Sequence, residues 1–312
     1  MIAEHSGERA ILVHLDGHAL DVREDPYEFQ ELAVSAGAVI ASFVNVSRHQ
    51  PTARFLIGSG KVDELRQLVL AEQADLVIFN HTLTPSQERN LERALECRVL
   101  DRVGLILDIF AQRAQTYEGK LQVELAQLDH LGSRLVGSRS DLSGQLGGIG
   151  LRGPGETQLE TDRRLLRVRV KQIKNRLAKV RNQRQLARRS RERAEIPGIS
   201  LVGYTNTGKS TLFNLLTQSE VFAADQLFAT LDPTVRRIEV PDLGAATLAD
   251  TVGFIRHLPH KLVEAFRATL EESASADLLL HVIDAQSPER DEQIKQVHTV
   301  LHEIDADDVL ML

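Results

Sequence analysis

The sequence predicts an α/β chain in three parts: an N-terminal parallel α/β domain at 1–110, an antiparallel helical hairpin of coiled-coil type at 111–195, and a second α/β domain at 196–312. Three observations carry this reading. Short apolar runs alternate with amphipathic stretches through the first third, and strand–helix alternation implies a parallel sheet with helical crossovers. From 111 to 195 the apolar residues take helical spacing, and over the second half they recur every seven residues. From 196 onward a short apolar strand leads into a glycine-rich loop and an amphipathic helix.

The 312 residues suffice for two or three domains that each bury a core. The net charge of −7 argues against a nucleic-acid partner until its distribution is considered. Between Arg163 and Arg193 fourteen Lys or Arg stand against one Glu, leaving 23 basic and 43 acidic side chains on the other 281 residues. A basic stripe on an acidic body is the footprint of a polyanion-binding face. Cys97 is the only cysteine, which excludes an internal disulfide and a cysteine-based zinc site. The opening MIAEHSGERA lacks a basic-then-apolar signal pattern, and no apolar run approaches 18 residues. A cytoplasmic location is therefore expected.

In the first domain AILVHL (10–15), AVIASFVN (38–45), DLVIFN (75–80) and RVL (98–100) read as strands. PYEFQELAVSA, KVDELRQLVLAEQ and TPSQERNLERALE read as the intervening helices, the last with Thr84 as N-cap and Pro85 in the first turn. GSGK (58–61) lacks the earlier glycine of a full phosphate loop, since that position is Phe55. It reads as a glycine turn entering a helix.

In the hairpin, Leu121, Leu125, Leu128 and Leu135 share one face of the first helix. Leu159, Leu166, Ile173, Val180 and Ala187 form a seam along the second, with Val170 and Leu177 at the complementary positions. The basic residues fall on its outward faces. A tip loop at 132–157 contains GGIGLRGPG (147–155), whose slackness would let it fold against an uneven surface on docking. Arg152, Arg163 and Arg164 are the candidate phosphate contacts to RNA. The competing reading is a solvated coiled-coil face, which fourteen charges of one sign make less favourable.

Pro197 and Gly198 end the helix, Ile199 to Val202 make a strand, and GYTNTGKS (203–210) then satisfies G-x-x-x-x-G-K-[ST] before the helix STLFNLL. By chance alone such a match arises in roughly one chain in a hundred of this length. Gly203, Tyr204, Thr205, Asn206, Thr207 and Gly208 would turn backbone N–H groups onto a β-phosphate. Lys209 would reach the β- and γ-phosphates, and Ser210 would ligate Mg²⁺, with Thr211 beside it. LFATLDPT (227–234) supplies Phe228, Ala229, Thr230, Leu231 and Asp232 as further nucleotide contacts. Thr230 is the choice for the second metal-ligating hydroxyl, with Thr234 in reserve. VRRIEVPDLGAATLADTVGFI reads as two strands around a PDLG turn, ending in Asp250, Thr251, Val252 and Gly253. A D-x-x-G after a phosphate loop suits a carboxylate on the Mg²⁺ side and an amide that senses the γ-phosphate. The next residue is Phe254, where many small GTPases carry a water-orienting Gln. No catalytic residue is assigned. Slow intrinsic turnover with partner activation is expected, and Asn206 is placed to help hold a K⁺ beside the phosphates. The third domain is thus a P-loop NTPase.

TYEGKLQVELAQL (116–128), GGIGLRGPGETQLETDRR (147–164), GYTNTGKST, FATLDPT and DTVGFI together resemble the HflX family, translation-associated GTPases related to the Obg branch. The resemblance implies a cytoplasmic GTPase that binds the large ribosomal subunit and acts in splitting or rescue of stalled ribosomes under stress. It further implies that the N-terminal region and hairpin reach toward ribosomal RNA. By that likeness Gly203 to Ser210, Thr230 and Asp250 to Gly253 carry GTP and Mg²⁺, and an apolar residue at position 254 is usual. The chain departs from the pattern in holding no N-K-x-D guanine-reading motif. It stops at DADDVLML, inside the strand expected before that motif, so the P-loop domain is expected to lack its C-terminal part and expose a sheet edge.

Two functions follow. One is a ribosome-bound GTPase, expected to be monomeric, whose nucleotide state moves the hairpin. The alternative is a non-enzymatic rRNA-binding module with a crippled nucleotide domain. A weaker third is an ATPase, because the phosphate loop does not choose the base.

Overall fold

The computed structural model describes residues 7–16, 25–47, 52–137, 154–193, 196–218, 226–256, 270 and 273–312. Its contacts divide the chain into two compact units, Met1–Ile109 with Gln127–Val170, and Phe110–Ala126 with Lys171–Leu312. Each helix of the hairpin therefore contributes to both. Among the described residues no helix is long and apolar enough to cross a membrane.

The first unit follows the predicted alternation: β1 (Arg9–Asp16), α1 (Pro26–Ser35), β2 (Val39–Ser47), α2 (Ser59–Glu72), β3 (Leu76–Phe79), α3 (Pro85–Leu95) and β4 (Arg98–Asp101). The strands form one parallel sheet in the order β2-β1-β3-β4. All four residues of β3 are buried, as a central parallel strand covered on both faces requires. Ile11, Val13, Val77 and Phe79 pack with Val62, Leu65 and Val69 of α2 and Leu91 and Leu95 of α3. Helix α3 begins as its sequence demands. Thr84 Oγ1 accepts from Gln87 N at 3.3 Å, and Gln87 Oε1 accepts from Thr84 N at 2.9 Å, a reciprocal capping box. Gly58 precedes α2 with an ordinary φ of −75°, so GSGK is the turn it was expected to be.

Three elements are not in the sequence reading: a helix after β4, and the strand Leu278–His281 and helix Arg290–Glu303 of the second unit. Helix α4 (Arg102–Arg113) starts directly after β4, with no intervening loop. Its residues from Val103 to Phe110 are apolar on nearly every side and mostly buried, so no periodicity separates them from a strand. The hairpin helices are α5 (Tyr117–Gly137) and α6 (Pro154–Arg193). They run into the predicted 132–157 loop from both ends, making 132–137 and 154–157 helical. Pro154 suits a helix start, and Ser133 to Val136 contains no breaker. Positions 138–153, including Arg152, lie outside the described residues. Glu118 near the start of α5 pairs with Arg184 of α6 at 2.7 Å, as antiparallel helices require. Ile173 is fully buried and Leu166, Val170, Leu177 and Val180 are half-buried, so the seam faces inward.

The second unit holds β5 (Gly198–Val202), α7 (Lys209–Thr217), β6 (Thr234–Val240), β7 (Gly244–Asp250), β8 (Leu278–His281) and α8 (Arg290–Glu303). Its sheet has the order β6-β7-β5-β8, with β6 antiparallel and the rest parallel. Leu201, Phe213 and Leu248 centre its core. Leu310 and Leu312 lie alongside β8, with a parallel bridge between Met311 and Leu279 and His281 N donating to Leu312 O at 2.8 Å.

Candidate nucleotide site

The second unit's sheet aims two loops at one place. Strand β5 ends at Val202 and the chain turns at Gly203, where an added Cβ would lie 2.4 Å from Val282 O. Only glycine allows that approach of the β8 end. The loop then passes Asn206 and Gly208 in left-handed conformations, φ +59° and +88°, before α7 begins at Lys209. This is a concave row of backbone N–H groups capped by a helix N-terminus, a form built for phosphate. Strand β7 delivers Asp250 at its end, and Gly253 follows so closely that a Cβ there would meet Thr205 Cα at 2.7 Å and Lys209 Nζ at 3.0 Å. Phe254 N donates to Gly203 O at 3.1 Å and Thr205 N donates to Phe254 O at 2.8 Å, so the two loops are bonded to each other.

An open cleft lies between them, lined by Thr205 to Thr211, Gln226, Phe228, Ala229, Thr230, Thr251 and Gly253. Three metal-type oxygens meet here, two on the lining residues Ser210 and Thr230 and the third on Asp250 just behind them. Ser210 Oγ donates to Asp250 Oδ2 at 2.6 Å and lies 2.7 Å from Thr230 Oγ1. Thr234 is instead committed to the sheet, opposite Asp250 in β6. Lys209 is 5% exposed and its Nζ donates to Tyr204 O at 2.5 Å. Burial lowers its pKa to about 8, partly opposed by the charge of Asp250. Burial raises the pKa of Asp250, against the hydrogen bond from Ser210 and the charge of Lys209.

Of the sequence candidates, Gly203, Tyr204, Leu231, Asp232, Asp250 and Val252 stand behind or beside the lining rather than on it. Tyr204 is buried, its hydroxyl accepting from Arg256 N at 3.0 Å. Thr251 Oγ1 donates to Leu201 O at 2.6 Å. The Asp232 carboxylate accepts from Gln115 N and Thr116 N at the start of α5. Phe254 is 1% exposed and presents no polar group to the cavity. Gln226 lines the cavity and was missed, because nothing in its sequence neighbourhood marks it. Arg164 is exposed on α6, and Arg163 is half-buried.

The donor set fits a magnesium-bound polyphosphate on the structure's own terms. Asp250 Oδ1 and Thr205 Oγ1 are buried at the site without a hydrogen-bond partner, and the buried Lys209 lines the same space. Strand, phosphate loop, helix and D-x-x-G in this order define a P-loop nucleotide hydrolase.

Comparison with known proteins makes the class specific. Residues 23–111 match a family described as GTP-binding GTPase N-terminal, 113–191 its GTP-binding GTPase middle region, and 198–312 a family described as 50S ribosome-binding GTPase. The chain is 59% identical over 304 residues to GTPase HflX of Escherichia coli (strain K12), covering 97% of this chain and 71% of that protein. It is 52% identical over 299 residues to GTPase HflX of Caldanaerobacter subterraneus subsp. tengcongensis, covering 96% and 70%. Its fold is similar to that in a crystal structure of an SsGBP–GDP complex, with a TM-score of 0.57, 26% identity, and coverage of 97% and 81%. A GTP-binding protein from the archaeon Sulfolobus solfataricus, also with GDP, gives a TM-score of 0.51 at 25% identity, covering 97% and 80%. The chain belongs to the HflX family of GTPases, and it is a GTP-binding, GTP-hydrolysing protein.

Proposed function

We propose that this GTPase binds the large ribosomal subunit through rRNA and uses its nucleotide state in splitting or rescue of stalled ribosomes in the cytoplasm. The observation that carries the nucleotide half is the meeting of Ser210, Thr230 and Asp250 at one point of the phosphate-loop cavity. In this reading Ser210 and Thr230 would hold Mg²⁺, and Asp250 would position the Ser210 hydroxyl through its hydrogen bond. When bound, the ion neutralises charge on the β- and γ-phosphates. Lys209 reaches the same phosphates, and the Gly253 amide reports whether the γ-phosphate is there. Phe254 contributes no proton acceptor, so intrinsic turnover is slow and rises when a partner completes the site. The ribosomal half is supported by the basic outward face of α6 and by the description of the family matched over 198–312.

The test is sedimentation of the protein with large ribosomal subunits under GTP or GDP, beside Lys209→Ala. The parent should co-sediment more strongly with GTP, and the variant should lose that difference. Equal response of both proteins to the triphosphate would overturn the reading. Asn206 as part of a K⁺ site is tested separately: hydrolysis should slow when K⁺ is replaced by Na⁺, and an unchanged rate excludes it.

A further inference from the structure

The cavity wall that carries Thr230 has no regular secondary structure. Something else must fix it, because a loop free to sample many conformations would rarely bring Thr230 to Ser210. The segment is held at three points by the join between α4 and α5, within the same compact unit. Gln226 accepts from Arg113. Phe228, in a left-handed conformation at φ +56° and 2% exposed, packs edge-on against Phe110 with ring centroids 4.7 Å apart. Asp232 makes the third and most polar attachment. Its Oδ2 accepts from Gln115 N at 2.7 Å and Thr116 N at 2.9 Å, and its Oδ1 accepts from the Thr116 hydroxyl. Thr116 in turn caps α5, its Oγ1 accepting from Gly119 N at 2.9 Å.

We infer that Asp232 is a positioning residue of the GTPase site: by accepting these three hydrogen bonds at the start of α5, it holds Thr230 against Ser210 and Asp250. An ionised carboxylate at a helix N-terminus, taking several N–H and O–H donors, is a strong and directional anchor. Gly119 is part of the device. A Cβ there would lie 2.1 Å from Asp232 Oδ1, so the carboxylate can reach the helix only over a glycine. The attachment also joins the base of the hairpin's first helix to the wall of the nucleotide cavity. Movement of Thr230 and movement of residues 115–119 are then one event. Thr230 stands two residues before this anchor and two after Phe228, so loosening either end releases the hydroxyl.

The inference rests on the reading of Thr230 as a metal-ligating residue, and the experiment separates the two. Steady-state GTP hydrolysis and GDP affinity are measured for the parent, Asp232→Asn, Gly119→Ala, their double variant, and Thr230→Ala, with thermal melting as a check on folding. Asp232→Asn should lower kcat about tenfold while leaving KM and GDP affinity within about twofold, since a displaced hydroxyl costs the reaction more than ground-state binding. Gly119→Ala should reproduce that pattern without touching Asp232 itself. The double variant should be no worse than either single change, because both break one attachment. A fall in GDP affinity matching the fall in kcat would overturn the inference by making Asp232 a direct nucleotide contact. So would an unchanged kcat in Asp232→Asn while Thr230→Ala is slow. If Thr230→Ala itself hydrolyses GTP normally, the metal reading fails, and the positioning role falls with it.

Discussion

Burial changes what single side chains can do in this molecule. Lys209 is enclosed, with its ammonium held on a carbonyl of its own loop, so an incoming polyphosphate need only replace one neutral acceptor. His281, at the end of β8, shows burial acting on stability instead. Burial first, then the charges of His298 and Lys209, lowers its pKa from 6.5 to about 4. The folded protein thus binds fewer protons than the unfolded chain between pH 6.5 and 4. The stability this supplies is present above pH 6.5 and lost as pH falls through that window. His281→Phe should remove part of the acid-side decline, read as a smaller drop in melting temperature between pH 6.5 and 4 than the parent shows. Gly253 makes the opposite point, because the absence of a side chain is what matters there. Gly253→Ala would press a methyl on Thr205 and Lys209. GTP turnover should fall at least about 100-fold, measured by phosphate release.

At the scale of elements, what could be read in advance was what local chemistry decides. The strands of the first sheet and the phosphate loop announce themselves in short local patterns, and the hairpin seam in a seven-residue repeat from Leu159 to Ala187. Thr84, Pro85 and Gln87 specify the start of α3 so fully that the structure reproduces the expected cap. Thr84→Ala should therefore cost about 1 kcal/mol in denaturant unfolding without changing nucleotide binding. Helix α4 escaped because it is apolar around its circumference and follows β4 without a break. The link between Asp232 and α5 escaped for a different reason: its partners are 116 and 117 residues apart in the chain, and no local pattern encodes such a pair. Gln226 was invisible on the same ground.

At the scale of the whole molecule, basic charge is concentrated in one segment, with fourteen Lys or Arg against one Glu between Arg163 and Arg193. On α6, Arg164, Arg167, Lys171, Lys174, Arg176, Lys179 and Arg181 are all exposed, while Ile173 faces inward. Each phosphate neutralised should add about 0.9 to the slope of log affinity against log salt on duplex nucleic acid. Replacing Arg152, Arg163 and Arg164 together with Glu should weaken association with large subunits and flatten its salt dependence by roughly one to three units of slope. Filter binding across a salt series measures both. An equally steep slope in the variant would remove those arginines from the interface.

The two backbone bonds that join Gly203 and Thr205 to Phe254 carry a consequence. Position 254 is pinned by its main chain, and its side chain is sealed inside. A glutamine introduced there would inherit the buried berth rather than the freedom to reach solvent, and its amide would lack partners. Phe254→Gln, the substitution that comparison with other small GTPases suggests, is thus expected to leave hydrolysis no faster, measured by phosphate release.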